Sequence, residues 1–384
     1  MNLRFSSDMF DTVLQETGVA TGLPNEAYIG EDFLNVERDR LWSHSWVCVG
    51  VAAKLRAPGF VIPVEIAGAP VIVLRDQDGA VRAYHNVCSH RGAKLVTNSR
   101  WVKDSLRCPY HGWCYKLDGE ICATPDIGGP GVDSLAGFDL SRHGLKPVAC
   151  GVWADMIFVN LDGTAAPLEQ YLAPLIERWK AYDFSLLRHG GKAAGSAKIS
   201  VNANWKLAVE NFCESYHLPL IHPGLNRYSR LDDHYHIMIG DEFGGQGSTV
   251  YAPQVSDGKS FPTFPGLSDE ARAGAEYVAI YPNVLLGLQN DHFWCIYMEA
   301  KGPGRTDEHL EIYYIGDGAH DESLAHARQE TLKRWCRIMD EDVMIIERLQ
   351  QGRHSPGFEG GCFTPLMDAP SHHFSRWVAQ TMMR

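Results

Sequence analysis

The sequence predicts an α+β protein built as a small antiparallel-β domain and a larger domain with an antiparallel sheet and flanking helices. Three observations carry that reading. From Ser45 to about Asp162, short β-rich runs (60–64, 71–75, 157–161) alternate with turn pairs such as Asp78-Gly79 and Asp118-Gly119, the pattern of a small antiparallel sheet. After Asp162 a helical segment runs through Trp179, followed by strand-like runs at 198–201, 277–280, 293–299 and 310–315 and a long helix from about Asp321 to Gln351. Residues up to about His44 read as helical and group with the back half. The expected division is therefore 1–44 as a helical part of the larger domain, 45–162 as the small domain and 163–384 as the rest of the larger one. The Gly/Pro-rich stretch from Pro125 to Gly137 is expected to be a loop. There is no internal repeat and no low-complexity segment.

Inside the small domain, Cys88-Ser89-His90 is followed by Cys108-Pro109-Tyr110-His111. Each half offers one thiolate and one imidazole, and two Cys with two His ligate a Rieske-type cluster of two irons and two sulfides. Exchanging two thiolates for neutral imidazoles removes negative charge from one iron and raises the reduction potential to roughly −150 to +300 mV, against about −400 mV for plant-type clusters. The alternative is a structural zinc site. Zinc motifs usually pair Cys with Cys and His with His, whereas here each half mixes the two.

The second motif is the stretch from Asn204 to His222. Trp205, Leu207, Val209 and Phe212, with no Gly or Pro, predict a helix to about Tyr216 or His217, ended by Pro219. Two His five apart on one helix would point about 140° apart. A chain that leaves the helix at Pro219 can bring His222 back towards His217. Two imidazoles and one carboxylate on one face of an iron leave positions open for oxygen. Taken alone, the pair also reads as two ordinary histidines; the cluster motif in the same chain favours the metal reading.

Together these motifs resemble the catalytic α subunit of the Rieske non-haem iron oxygenases, the ring-hydroxylating oxygenase family, over nearly the whole chain. The segment from Tyr28 to Trp46 is similar to the family's leading helix, Asn86–Gly92 and Cys108–Trp113 to its cluster loops, and Asn204-Trp205-Lys206 to the start of its iron-binding helix. The segment from Glu341 to Gly352 resembles the one that supplies the third iron ligand, which the match assigns to Asp342, with Asp340 and Glu341 as the fallback ligands on the same acidic helix. By this resemblance the cluster ligands are Cys88, His90, Cys108 and His111, the iron ligands are His217, His222 and Asp342, and the larger domain has the helix-grip fold. It implies a terminal oxygenase component that uses O2 and electrons from NAD(P)H, delivered by a separate flavin/iron–sulfur reductase or ferredoxin. The expected reaction hydroxylates, or oxidatively cleaves or demethylates, a small organic substrate. The family assembles as homotrimers in which the cluster of one chain serves the iron of the next.

One departure narrows the branch. Most of the family has Asp three residues before the first iron histidine, where it carries electrons between subunits; here Glu214 stands there. That glutamate, with the likeness from Gln350 to Gly361, resembles the carnitine, choline and glycine-betaine monooxygenase branch, so a quaternary amine is the expected substrate. The likeness at Ser371-His372-His373 is looser and leaves the C-terminal wall of the pocket unassigned. Tyr251, Phe293, Trp294 and Tyr297 could form an aromatic cage for the ammonium group, although aromatics are also common strand-core residues. An aromatic-ring dioxygenase or a demethylase of an aromatic acid is the other enzymatic reading. A Rieske electron carrier is a third, which the His pair and the chain length oppose.

Composition sets limits. With 384 residues, 45% of them hydrophobic, the chain can bury one large core or two modest ones. No run is apolar for the roughly 18 residues of a membrane span, and the first eight residues lack the features of a signal peptide. Ten cysteines at this length are expected to be thiols apart from the cluster pair, in a cytoplasmic protein. Net charge −12 opposes a nucleic-acid partner. From Val81 to Glu120, however, seven basic residues stand against three acids, a net +4 that could steer an acidic electron donor.

Overall fold

The computed structural model describes residues 7–253 and 259–384. The opening stretch 1–6, most of the segment read for a signal peptide, lies outside the described residues. Two compact units result: Trp42–Leu168 is one, and residues up to Leu41 together with Glu169–Arg384 form the other.

The smaller unit is a seven-stranded antiparallel sheet with a three-stranded one beside it in sequence. The larger sheet is built from β1 (Val47–Val51), β2 (Phe60–Ile66), β3 (Ala69–Arg75), β4 (Val81–His85), β5 (Arg100–Trp101), β9 (Pro147–Trp153) and β10 (Met156–Asn160), in the order β1-β10-β9-β4-β3-β2-β5. Between β5 and β9 lie β6 (Ser105–Arg107), β7 (Cys114–Lys116) and β8 (Ile121–Ala123), paired in that order. The core under the cluster loops joins Val61, Ile72, Leu74, Leu106, Trp113 and Tyr115. The unit reaches past Asp162 because the chain beyond β10 is tied back to its start. Asn160 Nδ2 donates to the carbonyls of Ser43 and Ser45 at 3.2 Å, and Trp46 Nε1 to that of Ala166 at 2.9 Å.

The larger unit centres on one antiparallel sheet of β11 (Leu187–His189), β12 (Ser196–Val201), β13 (His234–Ile239), β14 (Phe243–Ser248), β15 (Ala275–Ile280), β16 (Val284–Leu288), β17 (His292–Gly302) and β18 (Arg305–Ile315). The order is β11-β18-β17-β16-β15-β14-β13, with β12 also paired to β18. Strands at 198–201, 277–280, 293–299 and 310–315 were expected; β11, β13, β14 and β16 were not read from the sequence. β14 (Phe-Gly-Gly-Gln-Gly-Ser) has no apolar alternation to read, and its glycines are there because the backbone packs closely: a Cβ on Gly247 would lie 2.2 Å from the Tyr235 ring.

Helices Trp205–Cys213, Ala325–Gly352 and Ala369–Met383 pack on this sheet and on one another. The long helix buries Trp335, Met339 and Ile346 on one stripe. The N-terminal segment is anchored to helix Trp205–Cys213 by a fully buried ion pair, Lys206 Nζ to Glu37 Oε1 at 2.5 Å. The Lys206 ammonium also lies 4.9–5.6 Å from the ring centres of Trp205, Phe33 and Tyr28, so cation–π attraction offsets part of its desolvation. No helix among the described residues is long and apolar enough to cross a membrane, and none of the ten cysteines is in a disulfide.

Candidate active site

In the smaller unit the two cluster loops make the same turn twice. The Cys88 N–H donates to the Ala93 carbonyl at 2.8 Å and the Gly92 N–H to the Cys88 carbonyl at 3.0 Å. At the second loop the Cys108 N–H donates to the Trp113 carbonyl at 2.8 Å and the Gly112 N–H to the Cys108 carbonyl at 3.1 Å. Both turns need a left-handed residue four places after the cysteine, and Gly92 and Gly112 both have φ +74°. The loops bury the two thiols and leave His90 and His111 exposed, with ring centres 4.7 Å apart. Trp113 stacks on His90 at 4.6 Å, and the Tyr115 hydroxyl lies 3.0 Å from Cys88 Sγ. Two thiols under two solvent-facing imidazoles fit a two-iron cluster held at the protein surface. Among the described residues the four side chains do not converge on one point as a single zinc ion would require; only one group does so, in the other unit.

That group is His217, His222 and Asp342, whose candidate ligand atoms all lie within 4.8 Å of one another. His217 Nε2 is 3.7 Å and His222 Nε2 2.9 Å from Asp342 Oδ1, and the two rings are 5.1 Å apart. The other nitrogen of each ring is held by a carboxylate: His217 Nδ1 by Glu214 Oε1 at 2.5 Å and His222 Nδ1 by Glu341 Oε2 at 2.8 Å. Carboxylates at both Nδ1 atoms leave the Nε2 atoms for a metal, which is how metal-ligating imidazoles are oriented. Asn211 Nδ2 donates to Asp342 Oδ1 at 2.8 Å and fixes that carboxylate in turn. Burial pulls the His222 pKa down, yet the carboxylates of Asp342 and Glu341 outweigh it and hold it above the ordinary value. A cation is favoured at this spot. The residues present therefore fit a mononuclear metal.

Of the three acids at 340–342, Asp342 alone meets the Nε2 atoms. Asp340 is exposed, and Glu341 braces His222 from behind. The long helix explains the choice, since Asp342 shares the stripe of Trp335, Met339 and Ile346.

The expected helix through Tyr216 or His217 is corrected. It ends at Cys213, and Glu214 is extended, with φ −120° and ψ 159°. Side chains compete for the groups a longer helix would pair. Gln246 Nε2 donates to the Glu214 carbonyl at 2.9 Å, and the Glu214 carboxylate accepts the backbone N–H of Tyr216 and, at 3.2 Å, of His217. Pro219 does not end that helix either. It stands in the first turn of a separate short helix, Leu218–Ile221, where proline is tolerated, and His222 follows its last residue.

A cavity of about 90 Å³ opens on this triad. That space admits a small organic molecule beside the triad. Its aromatic lining is Phe212, Tyr277, Trp294 and Trp335. Of the expected cage only Trp294 lines the cavity. Strand alternation turns Phe293 and Tyr297 to the opposite face of β17, and Tyr251 lies stacked on Trp335 with ring centres 6.3 Å apart. Gly287, opposite Trp294 in the sheet, makes room for the indole: a Cβ there would lie 2.1 Å from it. His372 and His373 bind the Val13 and Gly240 carbonyls and do not line the cavity. Tyr277, Trp335, Asn211 and Glu308 were missed from the sequence, and Glu341, named there as a fallback ligand, instead holds His222 through Nδ1.

The fold and the two groups of side chains define a Rieske-type non-haem iron oxygenase. Residues 177–384 match the family described as ring hydroxylating alpha subunit (catalytic domain), and residues 45–136 match the Rieske [2Fe-2S] domain, so the chain belongs to the ring-hydroxylating alpha-subunit family. The chain is 27% identical to the carnitine monooxygenase oxygenase subunit of Acinetobacter pittii, with 89% of this chain and 88% of the relative covered. It is also 27% identical to the glycine betaine monooxygenase oxygenase subunit of Chromohalobacter salexigens, covering 94% and 86%. Its fold is similar to that of a quaternary ammonium Rieske monooxygenase linked to carnitine oxidation by gut microbiota, with TM-score 0.79, 24% identity and 99% and 100% of the chains covered. Naphthalene 1,2-dioxygenase from Rhodococcus shares the fold too, with TM-score 0.72, 20% identity and 94% of each chain covered.

Proposed function

We propose that this chain is the oxygenase subunit of a monooxygenase that hydroxylates, or oxidatively cleaves, a small quaternary amine. The observation that carries the reading is the cavity: four aromatic rings line a space that ends at the His217–His222–Asp342 triad. An ammonium held on ring faces places a neighbouring C–H bond before the triad, and cation–π attraction is worth about 0.5–2 kcal/mol per contact. The relatives named for carnitine and glycine betaine support the same class.

Cys88, His90, Cys108 and His111 would hold the cluster, and His217, His222 and Asp342 the iron. When bound, the two centres supply one-electron storage and oxygen activation. The chain's own residues orient and protect. Glu214 and Glu341 fix the two imidazoles through Nδ1, Asn211 fixes Asp342, and the apolar walls exclude water. Glu214 Oε1, held on His217, can accept a second hydrogen bond from a cluster histidine of a neighbouring copy, so a homotrimer with electrons crossing between subunits is part of the proposal. Oxygenase subunits of this family work with a reductase or ferredoxin. A cytoplasmic reductase fed by NAD(P)H is the donor proposed here, and the exposed basic residues Arg91, Lys94 and Arg107 near the cluster loops suit an acidic partner.

A demethylase of an aromatic acid is the second reading, since the rings would also stack on an arene. Among the described residues no lysine or arginine lines the cavity to receive its carboxylate, which favours the amine. A panel of quaternary amines and aromatic acids, scored by substrate-dependent NADH consumption and product analysis with a reductase supplied, tests the choice. Aldehyde and dealkylated amine are expected; a cis-diol, or turnover only with aromatic acids, would refute the amine reading.

A further inference from the structure

The wall of the cavity opposite the long helix contains one group that neither the metal site nor the packing uses. Glu308, on β18, is 6% exposed and lines the cavity with its strand neighbour Leu310 and with Trp294 and Ile296 of β17. The register puts it on that face: Met298 is opposite Glu308, Ile296 opposite Leu310 and Trp294 opposite Ile312. The Glu308 carboxylate makes no hydrogen bond and no ion pair among the described residues. Every other carboxylate at the site has a partner, Asp342 on Asn211 and His222, Glu341 on His222 and Glu214 on His217. A buried carboxylate without a partner is costly, and a bound cation relieves that cost. Consistent with this, burial and the like charge of Asp342 push the Glu308 carboxyl up to about 8.

The lining also settles what else the ligand carries. Among the described residues no lysine or arginine lines the cavity. Arg334 and Arg337 line a different cavity, which shares only Leu225 and Ile338 with this one. Among the side chains of the lining, a betaine's carboxylate would meet Glu308 and Asp342 but no lysine or arginine.

Resting on the amine reading above, we propose that Glu308 is the specificity-determining carboxylate for the ammonium group. The substrate is accordingly a small trimethylammonium-type cation without an acid group, not a betaine zwitterion. Charge attraction from Glu308 and the faces of Trp294, Tyr277 and Trp335 would act on the same ammonium.

The test is equilibrium binding to the iron- and cluster-loaded protein, read by calorimetry without turnover. Three probes of similar size are compared: choline, its uncharged carbon isostere 3,3-dimethylbutan-1-ol, and glycine betaine. Wild type is expected to bind choline at least about tenfold more tightly than either of the others. Glu308→Gln should weaken choline by about tenfold or more and leave the carbon isostere within about twofold, while Glu308→Asp keeps part of the preference. Iron content and the visible spectrum of each variant show that the fold and both centres survive. Tight betaine binding, or choline binding unchanged in Glu308→Gln, overturns the inference while leaving the amine reading intact. If none of the amines binds and an aromatic acid does, the amine reading falls and this inference with it.

Discussion

In residues 42–168 the four cysteine and histidine side chains come from two loops that make one turn twice, each closed by hydrogen bonds within six residues. In the other unit the triad joins segments 120 residues apart, and two of its ligands are braced from distant segments, Asp342 by Asn211 and His222 by Glu341, while Glu214 holds His217 from three residues away. The difference teaches where robustness lies. A loop that carries its own turn hydrogen bonds holds its ligands however the sheet behind it varies. A site gathered from a helix end, a short helix and a long helix depends on the packing of all three.

The largest effects should separate the two centres. Cys88→Ser is expected to abolish the cluster absorbance while mononuclear iron stays bound, because the triad lies in the other unit. Asp342→Ala should do the reverse, removing mononuclear iron with the visible spectrum unchanged, and both variants should lose turnover to background. Iron and sulfide analysis beside the spectrum checks this. Loss of both centres in either variant would show that the units are not independent.

A smaller effect belongs to the bracing. Glu214→Gln keeps the size but replaces one acceptor oxygen by an NH2 and removes the charge. Iron should stay bound and the cluster should still be reduced by dithionite or a reductase, while multiple turnover falls by about 10–100-fold. Glu214→Asp, with the charge kept and the reach shortened, should retain part of the rate. Wild-type turnover in Glu214→Gln would reduce Glu214 to a backbone cap for Tyr216 and His217.

The contrast in wiring is also a contrast in legibility. The cluster motif was readable because its determinants, two cysteines, two histidines and the two glycines, all lie within the loops themselves. Asp342 came from family likeness, though the stripe of Trp335, Met339 and Ile346 singles it out from Asp340 and Glu341 on helical geometry alone. The break at Glu214 rests partly on its own carboxylate, which caps Tyr216 and His217, and partly on Gln246, 32 residues further along the chain, a partner that the local sequence does not show. Glu308 was hidden for a similar reason. Asp307, Glu308 and Glu311 put acids on both faces of β18, and only pairing with β17 decides which one meets the cavity.

Below the metal sites comes the scaffold. Lys206 holds the N-terminal segment through Glu37 in full burial, so Lys206→Met leaves a buried carboxylate without its partner and should destabilise the larger unit by about 3–5 kcal/mol. The double change Lys206→Met with Glu37→Leu should recover most of that loss, since a buried ion pair is often replaceable by apolar side chains. Thermal unfolding followed by loss of mononuclear iron, with cluster absorbance as the internal control, reads the larger unit separately. Equal destabilisation in the single and double variants would mean that packing rather than charge governs this contact.

The smallest expected effect probes the self-contained loops. The Tyr115 hydroxyl is 3.0 Å from Cys88 Sγ, accepts the Ser89 N–H at 3.1 Å and lies 3.1 Å from Ser89 Oγ, so its proton can point at the sulfur or at that oxygen. A hydrogen bond to a ligating sulfur stabilises the reduced, more negative cluster. Tyr115→Phe removes that donor and should lower the potential. A hydrogen bond worth about 1 kcal/mol corresponds, for one electron, to roughly 45 mV. Mononuclear iron and ligand affinity in the other unit should not change. Because Tyr115 is fully buried in the core under the loops, the variant also loses a partner for Ser89, and Ser89→Ala serves as the control for that loss. Its hydroxyl donates to the His143 carbonyl at 2.6 Å and lies 3.1 Å from the Tyr115 hydroxyl, so Ser89→Ala disturbs the loop and removes a competing acceptor but leaves Tyr115 able to donate to the sulfur. A fall in potential in Tyr115→Phe that Ser89→Ala does not share assigns the effect to the sulfur contact. Equal shifts in the two variants would assign it to loop packing, and the loops would then be less self-contained than their hydrogen bonds suggest.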